Sequence, residues 1–284
     1  MQNYIFLLPL YNDWKSAQKL IGEIDKQVKR LQKKADILIV DDNSTKKEKL
    51  NIKKYKNIKR LKIIELKKNL GSQKAISIGL KYIKYLNIKS IITILDSDGE
   101  DDFTKIEEMI KTAKKHHKHI VVSCRTERGE GFIFSLLYSL HKILTFIFTL
   151  KWIDFGNYSS FNSINLNKIL KNNSTWLAYS SALAKNCSLK KVYAARKERF
   201  YGKSKLSSFG LILHSLRVIS VFLPRVIVLS VIYIFCLWLF FYNVWIVYFF
   251  SLLSLIILLN IFVIVVRLIM KCTELNNYLK LIKK

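Results

Sequence analysis

The stretch that decides the fold is Ile91-Ile92-Thr93-Ile94-Leu95-Asp96-Ser97-Asp98-Gly99-Glu100-Asp101-Asp102. Its first five residues are rich in β-branched side chains and end at a turn-forming cluster, which predicts a buried strand. The stretch then becomes acidic, although the chain as a whole has a net charge of +28. Neighbouring carboxylates repel one another unless a cation lies between them. A binding site for a cation is therefore one interpretation of this strand end.

Two of the carboxylates can face the same ligand. Alternate residues of an extended segment point to the same side, so Asp96 and Asp98 can share one site. Oxygen ligands of this kind suit Mg²⁺ or Mn²⁺ carrying a substrate phosphate. Alternatively, the stretch is a solvated acidic loop in which Asp102 or Thr104 caps the next helix. On these residues alone, both interpretations stand.

The composition narrows the functional classes. A strongly basic chain can bind nucleic acid or an anionic membrane. No nucleic-acid-binding motif accompanies the charge, and the aromatic residues lie mostly in apolar runs, so we predict no nucleic acid partner. The scattered cysteines form no CxxC pair, which favours a reducing compartment. We interpret His116-His117-Lys118-His119 as a solvated helix end, and the apolar run at 5–8 as too short for a signal peptide.

Strands and helices are predicted to alternate along the first 125 residues. Apolar runs predict strands, and the segments between them have helical patterns. This alternation predicts an α/β fold, with a mostly parallel sheet covered by helices on both faces. The predicted strands are residues 4–8, 37–40, 62–66, 91–95 and 120–123, and the predicted helices are residues 14–32, 72–84 and 104–116.

Polar residues follow every predicted strand. In parallel sheets, ligands bind outside the carboxyl ends of the strands, so these clusters are expected to converge on one site. Ordinary turn residues would explain each cluster singly but not the excess of paired carboxylates. No glycine-rich phosphate loop follows the first strand, which argues against a P-loop and a dinucleotide fingerprint. The clusters are Asn12/Asp13, Asp41/Asp42, Asn69/Gly71, Asp96/Asp98 and Arg125.

The middle of the chain is less regular. Residues 131–150 are apolar but contain His141 and Lys142, which predicts a helix packed on the domain or lying on a membrane surface. Residues 152–162 are interpreted as a loop on the side of the site where a second substrate, the acceptor, would bind. The basic run at 196–205 is interpreted as a mobile phosphate-binding segment, with a solvated basic linker as the alternative.

The C-terminal part is predicted to enter a membrane. Residues 207–225 suit an amphipathic juxtamembrane helix, ended by Pro224. Two apolar runs, 226–241 and 244–266, predict a transmembrane hairpin: the second is long enough to span, and the first is near the lower limit unless it includes residues before Pro224. The basic residues beside the hairpin favour cytoplasmic ends. We predict an α/β domain at 1–206, the juxtamembrane helix at 207–225, two transmembrane helices at 226–267 and a basic cytoplasmic tail at 268–284.

These motifs resemble those of family 2 glycosyltransferases with the GT-A fold, a Rossmann-like, mostly parallel sheet. The basic run and the hairpin narrow the resemblance to the polyprenyl-phosphate sugar transferases. The resemblance covers essentially the whole chain. It rests on Pro9-Leu10-Tyr11-Asn12-Asp13, Val40-Asp41-Asp42-Asn43-Ser44, Asn69-Leu70-Gly71, Leu95-Asp96-Ser97-Asp98 and Arg199-Phe200-Tyr201-Gly202-Lys203-Ser204-Lys205.

The resemblance implies a role for each matching position. Asp96 and Asp98 stand in the DxD motif, and Asp98 and Glu100 are the implied metal ligands for Mg²⁺ or Mn²⁺. Asn43 stands where relatives usually have glycine. The implied nucleotide-binding residues are Pro9, Tyr11, Asp13, Asp41 and Asp96. The implied catalytic residues are Asp96, Asp98, Arg125 and Arg199, and the implied phosphate-binding residues are Arg125, Arg128, Arg196, Arg199, Lys203 and Lys205.

The expected activity is transfer of a sugar from a nucleotide-diphosphate sugar to a polyprenyl phosphate, with inversion. The expected place is the cytoplasmic membrane, with several spans and with the catalytic domain and both termini in the cytoplasm. Related enzymes can assemble through their membrane helices, so a homo-oligomer is allowed. Two alternatives remain: a different membrane-associated glycan acceptor, or a non-catalytic nucleotide-binding membrane protein with a degenerate GT-A domain.

Overall fold

The architecture is a seven-stranded sheet with helices on both faces, followed by a pair of long apolar helices. It is seen in a computed structural model that describes residues 3–125, 132–202, 208–241 and 246–283. The predicted α/β class is confirmed. The strands are β1 Asn3–Leu10, β2 Ala35–Asp41, β3 Ile58–Glu65, β4 Ser90–Ile94, β5 Ile120–Arg125, β6 Phe155–Asn162 and β7 Leu189–Ala194.

The helices lie between and after these strands. Each predicted helix of the first 125 residues is present, although the third begins with a short 3₁₀ turn at Phe103–Lys105. The α-helices are α1 Trp14–Arg30, α2 Ser72–Leu86, α3 Ile106–Lys115, α4 Phe132–Thr149, α5 Leu166–Ile169, α6 Tyr179–Asn186, α7 Ser208–Ser220, α8 Leu223–Phe241 and α9 Ile246–Ile269.

The sheet is buried on both faces. α1 and α3 pack on one face, and α2 and α6 pack on the other. All residues of β4 are buried, which explains why that strand is a continuous apolar run and not an alternating one. α2 approaches the sheet closely at Gly79, where an added Cβ would lie 2.4 Å from Leu7 Cδ1. A side chain at position 79 would therefore force the buried side chains of Leu7 and Val40 to move.

The strand order creates a crevice beside β1. The order is β3-β2-β1-β4-β6-β5-β7, so the connection after β1 leads to β2 on one side and the connection after β4 leads to β5 on the other. β1 pairs in parallel with β2 and with β4. The loops after β1 and β4 diverge at this point, and such switch points are where open α/β sheets bind ligands.

One expectation about the middle of the chain is wrong. Residues 152–162 were expected to form a loop, but most of them form β6, which runs antiparallel between β4 and β5. The polar pair Ser159-Ser160 hides the strand in the sequence. Both side chains are buried and hydrogen-bonded: Ser160 Oγ lies 3.0 Å from Thr93 Oγ1, and Ser159 Oγ lies 2.8 Å from the Tyr179 hydroxyl.

α8 and α9 form the predicted hairpin. Each is long and apolar enough to cross a membrane, and only 11% and 17% of their apolar windows are buried inside the chain. A core helix of a soluble protein would be mostly buried. α8 begins at Leu223, earlier than the expected residue 226, because Pro224 is tolerated in a first helical turn. The division into domains at 206, 225 and 267 remains a prediction.

Candidate active site

A cavity of about 260 Å³ opens at the carboxyl edge of the sheet, between the loops that follow β1 and β4. Polar residues that follow β1, β2 and β4 therefore meet at this edge, as expected for three of the five strand ends. Six predicted ligand-binding residues line the cavity: Pro9, Tyr11, Asp13, Asp96, Asp98 and Arg199. The remaining lining residues are Leu10, Asp42, Ser72, Ala75 and Ser97.

Arg199 connects the two sides of the cavity. Its Nη2 donates to Asp13 Oδ2 at 2.7 Å, and its Nη1 donates to Asp98 Oδ2 at 3.1 Å. The three side chains are only 14–19% exposed, so the pairs lie in a partly desolvated place. A planar guanidinium can satisfy two carboxylates at once, which an ammonium cannot do as well. Arg199 thus supplies a cation that the acidic strand end requires.

The acidic loop after β4 is fixed from several directions. Asn157 Nδ2, at the beginning of β6, donates to Asp96 Oδ1 at 3.0 Å. The Asp96 amide donates to Asp101 Oδ2 at 2.9 Å. Asp102 Oδ1 accepts from the Thr104 amide and caps the 3₁₀ turn, as one interpretation of the sequence proposed. Through its bond to the Asp96 amide, Asp101 supports the backbone of the DxD motif.

The described part of the basic segment lies against this loop. The Phe200 amide donates to the Asp98 carbonyl at 3.0 Å, and Arg196 pairs with Glu100. Gly99 has a φ of +88°, and an added Cβ would lie 2.4 Å from the Phe200 ring. Only glycine allows both this backbone conformation and this contact. The contacts bring the basic segment next to the two carboxylates of the motif.

Burial makes Asp98 hard to ionise. It raises the pKa of Asp98 from 3.8 to about 6, and the nearby Asp96 carboxylate raises it as well. The Glu100 amide and the Arg199 guanidinium act in the opposite direction. At neutral pH the loop therefore holds negative charge at a cost, and a bound cation would relieve that cost.

This pKa predicts a pH-dependent stability. A carboxyl with a raised folded pKa stabilises the fold at pH below its ordinary value of 3.8, and this contribution is lost as the pH rises through about 6. The shift corresponds to about 3 kcal/mol at most. In metal-free buffer at pH 7.5, the Asp98→Asn variant is expected to have a higher melting temperature than the unsubstituted chain. The two melting temperatures should converge near pH 4.5.

Thermal melts at both pH values, with Asp36→Asn as a control, check this prediction. Asp36 pairs with Arg60 on the surface, and its replacement is expected to change the melting temperature little at either pH. A chain with Asp98→Asn that melts below the unsubstituted chain at pH 7.5 would contradict the assignment.

The loop after β2 borders the other side of the cavity. Asp41 Oδ1 accepts from the Ser44 amide at 2.9 Å, while its buried Oδ2 has no hydrogen-bond partner within the described part of the chain. Asp42 accepts from the Leu70 and Gly71 amides, at 2.7 Å each. Burial raises the pKa of Asp42 to about 6. Asp42 lines the cavity, whereas Asp41 supports the loop from below.

The side chains of four predicted phosphate-binding residues lie outside the described part of the structure. Arg128, Lys203 and Lys205 lie outside the residues that the structure describes. Arg125 is the last residue of β5 and pairs with Ala194 through the backbone, but its side chain also lies outside the described part. Their roles stay predictions.

The family is decided by the match of residues 6–176 to the family model "Glycosyl transferase family 2". That range covers more than half of the chain. This chain belongs to glycosyl transferase family 2. The match includes the strands and loops that line the cavity, from β1 through β6, and it confirms the family predicted from the motifs.

Curated relatives of this family 2 member are distant. The dodecaprenyl-phosphate galacturonate synthase of Rhizobium johnstonii is 24% identical over 127 residues, which are 44% of this chain and 36% of the relative. The uncharacterized glycosyltransferase YkcC of Bacillus subtilis is 28% identical over 131 residues, 45% of this chain and 39% of the relative. The matches thus span well under half of the length of these relatives.

Solved structures confirm the GT-A fold of this family 2 member. Mannosyl-3-phosphoglycerate synthase from Rubrobacter xylanophilus superposes with a TM-score of 0.56 at 16% identity, covering 79% of this chain and 74% of that one. Glucosyl-3-phosphoglycerate synthase from Mycobacterium tuberculosis, solved with Mn²⁺, UDP and phosphoglyceric acid, gives a TM-score of 0.53 at 13% identity, covering 79% and 78%.

The carboxylates of this family 2 member fit a divalent cation in part. Asp96 and Asp98 supply hard oxygen ligands, and their repulsion is the kind that a metal ion removes. Glu100, the predicted further ligand, is paired with Arg196. Among the described residues, no group of three His, Cys, Asp or Glu side chains is placed to hold an ion. The fit therefore rests on the pair after β4.

Two further residues belong to the site: Asn157, which the sequence placed in the expected loop at 152–162, and Gln73, which it did not indicate. Asn157 orients Asp96. Gln73 in turn holds the Asn157 side chain, since Gln73 Nε2 donates to Asn157 Oδ1 at 3.1 Å. Gln73 Oε1 also accepts from the Tyr179 amide at 2.6 Å. The only sequence signal was a polar residue early in an unrecognised strand. Because β6 is antiparallel, its amino end lies at the carboxyl edge of β4.

Proposed function

We propose that this protein transfers a sugar from a nucleotide-diphosphate sugar to a polyprenyl phosphate at the cytoplasmic face of a membrane. The observation that carries the proposal is a cavity lined by Asp13, Asp96, Asp98 and Arg199 in a chain that also has two exposed apolar helices. The printed name of one relative, dodecaprenyl-phosphate galacturonate synthase, supports the acceptor class.

The donor end of the cavity is formed by the loops after β1 and β2. Pro9, Tyr11 and Asp13 line it, and Asp41 supports its floor. A nucleoside offers N–H groups on the base and hydroxyl groups on the ribose, and carboxylates can accept hydrogen bonds from both. The buried Oδ2 of Asp41 has no partner in the described residues and could accept one such bond after a small movement of the loop.

The diphosphate end is formed by the acidic loop and the basic segment. A divalent ion held by Asp98, with Asp96 beside it, would supply positive charge for the leaving diphosphate, and Glu100 would be a further ligand only with its ion pair to Arg196 open. Arg199 acts from the opposite side, since its guanidinium already lies between Asp13 and Asp98. Phosphate oxygens can replace these carboxylates as acceptors of the two hydrogen bonds that the Arg199 guanidinium donates.

The acceptor explains why no general base is prominent. A phosphate monoester is already anionic at neutral pH and can attack the anomeric carbon without losing a proton. The site therefore has to position the two reactants and stabilise the leaving group. Attack from the face opposite the diphosphate inverts the anomeric configuration, as the resemblance implies.

The membrane arrangement follows from charge. Arg225 precedes most of α8, and Arg267, Lys271 and Lys280 follow or end α9. Lys and Arg concentrate on the cytoplasmic side of membrane proteins, so both ends of the hairpin are assigned to the cytoplasm. The catalytic domain, which contacts α8 through a 2.8 Å bond from Arg225 to the Thr149 carbonyl, lies on the same side.

The test is an assay in membranes that contain the full chain. Membranes are incubated with undecaprenyl phosphate and a panel of labelled UDP-, GDP- and dTDP-sugars, with Mg²⁺, Mn²⁺ or EDTA. Label that enters a lipid extract with one donor, depends on added polyprenyl phosphate and is lost in EDTA supports the proposal.

Other outcomes contradict part or all of it. Label in a membrane glycan without dependence on polyprenyl phosphate would identify another acceptor. Full activity in EDTA would contradict the metal. No product from any donor would leave a non-catalytic nucleotide-binding protein as the better interpretation.

A further inference from the structure

We propose that the segment after α9, residues 271–283, is a positioning element for the donor loop that follows β2. Lys283 is the residue through which it acts. This inference rests on the proposed function only for the statement that the loop borders a nucleotide. The structure shows the segment returning from the end of the hairpin to the edge of the sheet, next to the candidate active site.

The segment is anchored at its beginning. Trp176 Nε1, which is fully buried, donates to the Met270 carbonyl at 2.9 Å. Asn173 Nδ2 donates to the Cys272 carbonyl at 3.0 Å and to Asn276 Oδ1 at 2.9 Å. Leu275 is completely buried in the core. The segment, which was predicted to be a basic cytoplasmic tail, is therefore docked on the part of the chain around Asn173 and Trp176.

The end of the segment pairs with β3, the edge strand. Leu66 and Ile282 form an antiparallel bridge. The Lys67 amide donates to the Leu281 carbonyl at 2.9 Å, and the Lys283 amide donates to the Glu65 carbonyl at 2.8 Å. Leu66 also donates its amide to the Asp41 carbonyl at 2.8 Å. A continuous set of backbone bonds thus leads from the segment to the residue that supports the donor loop.

Lys283 extends this connection into the loop itself. Its Nζ donates to Asn43 Oδ1 at 2.9 Å and lies 3.9 Å from Glu65 Oε2. Asn43 has a left-handed backbone, with a φ of 59°, between Asp42 and Ser44. Asn12 holds the other side of the loop, because its amide donates to Ser44 Oγ at 2.8 Å. The loop is therefore fastened from both sides, by Asn12 on one side and by Lys283, 240 positions from Asn43 in the chain, on the other.

The expected function of the contact is to order the loop before the donor arrives. A loop that is already ordered loses less conformational entropy on binding, so its affinity is higher. Lys283 does not line the cavity and contacts neither Asp98 nor Arg199, so the rate at saturating donor should not depend on it. Nucleotide affinity is the quantity that should change.

The test measures nucleotide affinity of the purified full chain, which requires no acceptor. UDP, GDP, dTDP and CDP are titrated with Mn²⁺, and the nucleotide that binds is used for the variants. Lys283→Ala is expected to raise the dissociation constant about fivefold, the effect of one hydrogen bond. Lys283→Pro also removes the bond to Glu65 and should have a larger effect. Ile282, with φ −89° and ψ 138°, suits a position before proline.

A double-mutant cycle separates positioning from general stability. Asn43→Gly keeps the left-handed backbone but removes the acceptor, so alone it should match Lys283→Ala, and the two together should not add. Lys283→Arg should restore affinity. Lys280→Ala, an exposed lysine of the same segment, should change nothing.

Three results would overturn the proposal. They are equal affinity of Lys283→Ala and the unsubstituted chain, strict additivity in the cycle, and the binding of none of the four nucleotides. Absence of lipid-linked product together with the expected affinity changes would contradict the acceptor alone.

Discussion

Replacing Asp98 by asparagine is expected to lower sugar transfer by about 100-fold or more, the usual effect of removing one charged group that acts on a developing charge. Asparagine has nearly the same shape, but it is neutral and a poor ligand for Mg²⁺ or Mn²⁺. The loss is expected in kcat at saturating donor. The same variant should be more stable at pH 7.5, because the ionised carboxylate is costly in this buried place.

The combination of lower activity and higher stability identifies a functional carboxylate. Asp102→Asn is the matched control, since it makes the same change in the same acidic stretch. Asp102 caps the 3₁₀ turn through Thr104, and asparagine caps a helix about as well as aspartate, so this replacement should change stability little and leave transfer nearly intact. Transfer that survives Asp98→Asn at the unsubstituted rate would contradict the assignment of Asp98.

Arg199→Ala is expected to lower transfer by a similar factor of about 100. The side chain joins Asp13 and Asp98 and is assigned to the leaving diphosphate. Arg199→Lys should recover only part of the activity, because an ammonium cannot contact both carboxylates in one plane. Since Arg199 lowers the pKa of Asp98, its removal should also shift the acid limb of the rate profile to higher pH.

Lys197→Ala is the control for this series. Lys197 belongs to the same basic segment, but its Nζ lies 3.6 Å from Asp102 and it is more exposed than Arg199. Its removal is expected to change transfer less than threefold, as for an exposed ion pair. Rates measured between pH 5.5 and 8.5 would contradict the role of Arg199 if Arg199→Lys were fully active with an unchanged profile.

Much of the fold could be predicted because its signals are local. β1, β2 and β4 are continuous apolar runs because both of their faces are buried, and the segments between them have clear helical patterns. β6 was missed because Ser159 and Ser160 make it polar, and their hydrogen-bond partners, Thr93 and Tyr179, are distant in the sequence. A buried polar strand cannot be recognised until those partners are known.

The same distinction applies to the site. Asp96 and Asp98 could be found because they follow a strong strand and repel each other within three residues. Arg199 was found through a basic run and a family resemblance, although the residues alone did not indicate that it joins Asp13 to Asp98. Asn157 was noted only as part of an expected loop, and Gln73 and Lys283 had no signal, because their positions depend on an antiparallel strand and on a segment that returns from the hairpin.

The bridge from Arg199 also has a consequence for synthesis. Arg199 is 186 residues from Asp13 and 101 residues from Asp98. At typical elongation rates, the ribosome needs about 5–20 s to make the chain between Asp98 and Arg199. During that interval the nascent domain carries its acidic loop without the guanidinium that pairs with it. The bridge that joins the two sides of the cavity therefore closes late in synthesis, after both of its carboxylates have been made.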